Sequence, residues 1–283
     1  MNVVLTGSST GIGRAIAERL LARGDQVWGI ARSNQSDFAA RHEGRFRFSR
    51  CDVAQWSELE RTAAEVVTGW THVDALITAA GIQGEIGRAF AADPTNWSAT
   101  VRANLDGTFF SIRAFAATLA RTPRRAKIIC FSGGGATKPR ARFSAYGVAK
   151  TAVVRLVETI AEEESGQKLD INAIAPGAIN TRLTDEVLGL GPEIVGEAEF
   201  ATAQKVKAGT SSTPAAPDAG TALAKALGLV EWLLSEASDG VTGRLLAAPW
   251  DPWSTLDQRV SELAKSDIYT LRRITPEDRG AKW

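Results

Sequence analysis

Three side chains in the stretch CFSGGGATKPRARFSAYGVAK have the makings of a proton-transfer device: Ser132, Tyr146 and Lys150. Tyr146 and Lys150 stand four apart at the head of a run, TAVVRLVETIAEEE, that reads as a helix. At that spacing both project from one helical face, a turn apart. A phenol ionises near pH ~10 in water, and a cation within a few ångströms lowers that by about one to three units. A phenol so lowered exchanges protons near neutral pH, as general acid or base for an alcohol/carbonyl pair. The spacing alone also arises by chance on many helices, as a packed tyrosine beside a solvated lysine. Its meaning depends on what the rest of the chain brings to it.

The N-terminus brings a phosphate cradle. NVVLT (2–6) reads as a short buried strand, followed by Gly7, Ser9, Gly11, Ile12 and Gly13 within GSSTGIG and then by an amphipathic helix, RAIAERLLAR. Strand, glycine loop and helix in that order are the context a dinucleotide fingerprint requires. The glycines allow a tight turn and close backbone approach to a pyrophosphate, and the helix N-terminus supplies free N–H groups. A second strand, VWGIAR (27–32), ends without the acid that would bond the ribose 2′-hydroxyl of NAD. Arg32 and Ser33 stand there instead, and a guanidinium fork suits a 2′-phosphate. The expectation is NADP(H) over NAD(H), the bland alternative being a solvated arginine.

Strand and helix go on alternating. RFRFSRCDV forms a third strand ending in Asp52 and Val53 at the adenine edge, 56–70 a helix, and VDALITAAG (73–81) a fourth strand closing on Ala80 and Gly81. Residues 94–120 read as one long helix with Asn104 near its middle, a poor helix-interior residue that either interrupts the ladder to hold a water or faces solvent. AKIICFS (126–132) is a fifth strand delivering Ser132 at its carboxyl end, where open α/β sheets bind ligands. LDINAIAPG (169–177) is the sixth, followed by a turn through Pro176, Gly177, Ile179 and Thr181. The Gly/Ala/Ser/Thr/Pro-rich interval 183–219 exceeds an ordinary loop and reads as a mobile lid or helical flap, with a linker as the alternative. A helix near 221–236 and a last strand, GVTGRLLAA, complete a single α/β domain, 1–248: a Rossmann-like, doubly wound parallel sheet of about seven strands. The aromatic-flanked tail 249–283 is expected to pack on this domain's active-site rim or on a neighbouring subunit.

Composition excludes several other roles. Charges of 33 basic and 32 acidic residues leave a formal +1, with no basic field for nucleic acid or membrane. Cys51 and Cys130, far apart in apolar surroundings, read as reduced core thiols, and no pattern suggests a metal. No leader-like segment precedes the first strand and no apolar run approaches ~20 residues, which together predict a cytoplasmic protein.

In order and at suitable spacing, TGSSTGIG (6–13), CDV (51–53), AAG (79–81), Asn104, a strand-end serine, YGVAK (146–150) and PGAINT (176–181) resemble the short-chain dehydrogenase/reductase family over about residues 1–182. The resemblance implies that Tyr146 is the acid/base and that Lys150 lowers its pKa and binds the nicotinamide ribose. It further implies that the serine bonds the substrate oxygen, that Asn104 holds a water relaying protons from Lys150, and that Ile179 and Thr181 anchor the carboxamide. Assembly as a tetramer or dimer is also implied. The sequence departs from the family pattern in places. Ala79 replaces the usual asparagine, and Ala-Ala-Pro-Trp replaces the usual acidic-Gly-Gly ending. The usual serine position, thirteen before the tyrosine, is Gly133, and Ser132 lies one residue further back. Either Ser132 keeps the serine's role, which is the favoured reading, or the Gly133 backbone N–H replaces it; Ser144 points elsewhere. The leading functional expectation is an NADP(H)-dependent oxidoreductase for a small secondary alcohol/ketone pair. The alternatives are non-redox dehydratase- or epimerase-like chemistry and a non-catalytic dinucleotide sensor.

Overall fold

A computed structural model of the chain describes residues 1–209 and 221–282. Seven parallel strands form one sheet in the order β3-β2-β1-β4-β5-β6-β7. The strands are β1 (Asn2–Thr6), β2 (Gln26–Ala31), β3 (Phe46–Arg50), β4 (Ala75–Thr78), β5 (Ala126–Phe131), β6 (Leu169–Ala175) and β7 (Leu245–Ala247). Side chains alternate between the sheet's faces, and both faces are covered, so the strands are apolar almost throughout. Val3 and Leu5 pack with Ile16 and Leu20 of α1 (Gly11–Arg23) and with Leu229 and Leu233 of α10 (Ala222–Leu233). Val4, between them, faces the opposite layer with Leu59 of α3 (Trp56–Gly69), Phe115 of α5 (Gly107–Leu119) and Val153 and Val157 of α6 (Ser144–Glu163). A short helix, α2 (Ser36–Arg41), joins β2 to β3.

The chain runs outward from β1 to β3 and then returns to β4 on the other side of β1. The carboxyl ends of β1 and β4 therefore diverge, leaving the crevice in which this class of sheet binds its ligands.

The long helix expected over 94–120 is broken in the middle. α4 (Pro94–Val101) passes into one wide π turn, Arg102–Asp106, before α5 resumes. Asn104 sits in that turn and is fully buried, which rules out the solvent-facing alternative. Its Nδ2 donates to the Thr100 carbonyl at 2.9 Å, taking a helical acceptor and widening the ladder locally.

The interval after β6 is helical as far as it is described: α7 (Arg182–Leu190), α8 (Pro192–Val195) and α9 (Glu197–Lys207). Residues 210–219 of the expected lid lie outside the described residues. The last strand is shorter than its sequence suggests, because Gly240 and Gly243 take positive φ and leave only Leu245–Ala247 in the sheet.

The tail folds back on its own domain. Leu256 and Leu263 enter the core, and Trp253 stacks 6.2 Å from Trp232 while its Nε1 donates to the Ala248 carbonyl. Arg244 donates to the carbonyls of Leu263, Ser266 and Ile268, and the Leu245 N–H donates to the Tyr269 carbonyl at 2.8 Å. The outer edge of β7 is thereby covered rather than left open to solvent. Among the described residues, no helix is long and apolar enough to cross a membrane.

Candidate active site

A cleft of about 820 Å³ opens at the diverging ends of β1 and β4. Its floor is the glycine loop. Gly7, at φ +74°, brings its Cα against the Ala79–Ala80 backbone, and a Cβ on Gly13 would overlap the Gly7 carbonyl oxygen. No side chain fits at either position, so backbone packs on backbone. Beneath the loop, Ser8 is fully buried and exchanges hydrogen bonds with Gln35, which fixes the turn from below. Thr6 Oγ1 accepts from the Ala80 N–H at 3.2 Å, tying β1 to the end of β4 beside Ala79.

Of the residues expected to meet a dinucleotide, Gly7, Ser9, Gly11, Ile12, Gly13, Arg32, Ser33, Asp52, Val53, Ala80, Gly81 and Thr181 line this cleft together. Thr181 reaches over the loop, its Cγ2 3.5 Å from where a Gly11 Cβ would stand. Pro176, Gly177 and Ile179 do not line the cleft. They form the turn that delivers Thr181, with Gly177 at φ +82° against Pro249 and the Ile179 carbonyl accepting from Thr184 Oγ1.

Arg14 is a residue that sequence reasoning missed. Its Nε and Nη2 each reach the Ser9 carbonyl at 3.4 Å, its guanidinium lies 3.6 Å over the Phe38 ring, and its Nη1 is buried with no partner among the described residues. The signal lay in the sequence as an arginine directly after the last loop glycine. A cleft of this size, floored by glycine backbone at a helix N-terminus, fits a dinucleotide.

Tyr146, Lys150 and Asn104 do not line the cleft; they stand behind its wall at Gly81. Tyr146 and Lys150 come from the first turns of α6 and are 8% and 4% exposed. Lys150 Nζ donates to the Phe131 carbonyl at 2.9 Å. Asn104 enters from the π turn and donates to the Ile82 carbonyl at 2.9 Å, leaving its buried Oδ1 without a partner among the described residues. Gly81 joins the two: a Cβ there would stand 2.6 Å from Asn104 Oδ1 and 3.4 Å from Lys150 Nζ. A side chain at 81 would push both groups away from this part of the wall.

One expectation needs correction. Ser132 is not aimed at a substrate. It is 3% exposed, and its Oγ donates to the Lys150 carbonyl at 3.1 Å, so its hydroxyl is spent inside the fold. Gly133 occupies the position beside Tyr146, where an added Cβ would stand 2.5 Å from Tyr146 Oη. The strand's alternation decides this: Ser132 continues the β5 ladder by donating its N–H to the Ile174 carbonyl, and the next residue faces the phenol. Ser144 does point elsewhere, accepting from Trp97 Nε1.

Burial pushes the Tyr146 pKa up, and the Arg140 guanidinium pulls it down. Lys150 is itself desolvated, and burial brings its pKa down to about 8. Burial also pushes both thiols up, to about 11 for Cys51 and Cys130, which leaves them inert.

The profile of the short chain dehydrogenase family matches residues 1–188. The chain belongs to that family. It is 29% identical over 238 residues to the 2-(R)-hydroxypropyl-CoM dehydrogenase of Xanthobacter autotrophicus, covering 74% of this chain and 92% of that one. Its identity to the short-chain reductase protein NovJ of Streptomyces niveus is 32% over 189 residues, 65% of this chain and 71% of that one. A short-chain dehydrogenase/reductase structure from Saccharomyces cerevisiae superposes with a TM-score of 0.80 at 22% identity, covering 90% of this chain and 98% of the other, a likeness of fold. This short-chain dehydrogenase is accordingly an NAD(P)-dependent oxidoreductase.

Proposed function

We propose that the enzyme interconverts a small secondary alcohol and a ketone, with Tyr146 as acid/base and NADP(H) preferred over NAD(H). The observation carrying this reading is that Asn104 and Lys150 stand directly behind Gly81 in the wall of a dinucleotide-sized cleft, with Tyr146 beside Lys150 and Gly133 leaving room at its hydroxyl. The cofactor, when bound, exchanges a hydride with the carbinol carbon. In the oxidative direction the alcohol O–H breaks and its proton passes to Tyr146 Oη; in reduction Tyr146 returns it to the carbonyl oxygen. Lys150 Nζ, its pKa lowered to about 8, is suited to passing a proton at working pH. The unpartnered Oδ1 of Asn104 is an acceptor suited to a water leading outward. Thr181 would hold the nicotinamide end.

The cofactor preference is supported by Arg32 and Ser33 lining the cleft at the end of β2, where a carboxylate would repel a 2′-phosphate. Titration of the protein with NADPH and NADH, followed by a panel of ketones under the better binder, tests this. Tight NADPH binding with ketone turnover is expected. Preference for NADH would place Arg32 among ordinary surface residues, and binding of neither would remove the reading altogether.

A further inference from the structure

Arg140 lies in the loop between β5 and α6 and is partly buried beside Tyr146, with 16% of its side chain exposed. Its guanidinium carbon stands 3.7 Å from the Phe143 ring centroid and 5.8 Å from that of Tyr146. Nε and Nη2 donate to the two carboxylate oxygens of Glu199 at 2.9 and 2.8 Å, and Nη1 reaches Gln83 Oε1 at 3.5 Å. An aromatic face, a bidentate carboxylate and an amide thus hold one cation from three sides, which fixes a side chain otherwise rich in rotamers. Glu199 belongs to α9, and the same loop grips the flap again through Arg142 Nη1, which donates to the carbonyls of Glu193 and Ile194. Phe143 and Tyr146 themselves pack against Val187, Val195 and Ala203 from α7, α8 and α9.

We propose that Arg140 is a positioning residue for the alcohol/carbonyl reaction, holding a fixed positive charge against Tyr146, and that Glu199 sets its place so that the phenol's acidity depends on α9 being seated. The inference rests on the reading of Tyr146 as acid/base. The charged groups around the phenol are Lys150 from its own helix, Arg140 from the preceding loop and, behind Arg140, Glu199 from α9; the rest of the flap meets it with apolar side chains. Lys150 lies as near, 5.7 Å from the ring centroid, but its Nζ is turned to the Phe131 carbonyl and, with its pKa brought down to about 8, it gives up its charge as the pH rises through that value. A guanidinium stays charged at every working pH. A permanent cation beside the phenol adds to Lys150 a charge that persists above the pH at which the ammonium is lost, and it favours the ionised form.

The chain has two tyrosines, so Tyr269→Phe leaves Tyr146 as the single phenol, and NMR of isotopically labelled tyrosine ζ-carbon then follows its ionisation directly. Arg140→Gln is expected to raise the midpoint by about half a unit to one unit, the partial charge left by the Glu199 pairing accounting for the modest size. Arg140→Lys should restore most of that shift. Glu199→Gln should move the midpoint in the parent background and have no effect once Arg140 is already Gln. The pH profile of kcat for alcohol oxidation should follow the NMR midpoint upward while the affinity for NADPH holds. An unmoved midpoint in a folded Arg140→Gln protein overturns the proposal. If that variant does not fold, an unmoved midpoint in Glu199→Gln overturns it instead. Full turnover in Tyr146→Phe is a different failure: it sinks the acid/base reading and leaves the NMR result standing.

Discussion

The two ends of the cleft are built by different means. At the glycine-loop end the backbone does the work: Gly7, Gly11 and Gly13 clear space, and peptide groups line the floor. At the catalytic end side chains do it, and they come from distant parts of the chain. Arg140 reaches Glu199 across 59 residues, Asn104 reaches the Ile82 carbonyl across 22, and Lys150 reaches the Phe131 carbonyl across 19. A backbone cradle tolerates no Cβ but needs no partner, so its requirement is written locally as glycine. A side-chain constellation can exchange members, as Gly133 and Arg140 show, so its members need not be the usual ones.

The sharpest way to break the first end is Gly13→Val. The added branch would collide with the Gly7 carbonyl, so the loop must move. The expected result is loss of NADPH binding by at least about a hundredfold, together with roughly 1–3 kcal/mol of stability, read by cofactor titration and urea unfolding. NADPH affinity matching the parent would mean the loop is not the cradle.

The catalytic end should respond the other way, losing chemistry while keeping or gaining stability. Lys150 binds protons less readily folded, at about 8, than in the unfolded chain at 10.5. Stability therefore rises with pH between these values, and below about 8 the fold bears the full penalty of a buried charge. Lys150→Met removes that penalty and should stabilise the protein near pH 7 by up to about 3 kcal/mol, less the lost hydrogen bond to Phe131, while turnover collapses. Denaturant midpoints at neutral and alkaline pH check both sign and window, and equal destabilisation at every pH would contradict desolvation of the ammonium as the cause.

Gly133→Ala probes the same end more gently. Its Cβ displaces the phenol, so kcat should fall about tenfold or more with NADPH affinity unchanged. Unchanged kcat would show that Tyr146 does not need its present place. Arg32→Asp is the smallest expected effect, a shift of roughly tenfold in the NADPH/NADH affinity ratio, measured by paired titrations.

The same contrast explains what could be read from the sequence. Strand–glycine–helix order and the run of apolar strands specified the sheet, because both are local patterns with a physical period. The π turn was half legible: Asn104 marked a place where the ladder could break, but the sequence did not show its amide turning back on the Thr100 carbonyl. Ser132 misled for a related reason. Residue type suggested a reactive hydroxyl, but one position of strand alternation turns it to the Lys150 carbonyl and puts Gly133 at the phenol. The Arg140–Glu199 pair carries no local signature, as neither residue predicts the other until α9 folds over the loop.

The most direct test of Tyr146 as the acid/base compares Tyr146→Phe with the parent enzyme for NADPH affinity and for ketone turnover in one set of conditions. The expected result is NADPH affinity within about twofold of the parent and turnover reduced by about a thousandfold or more, because the phenyl ring keeps the packing and loses only the exchangeable proton. Turnover at the parent rate would contradict it.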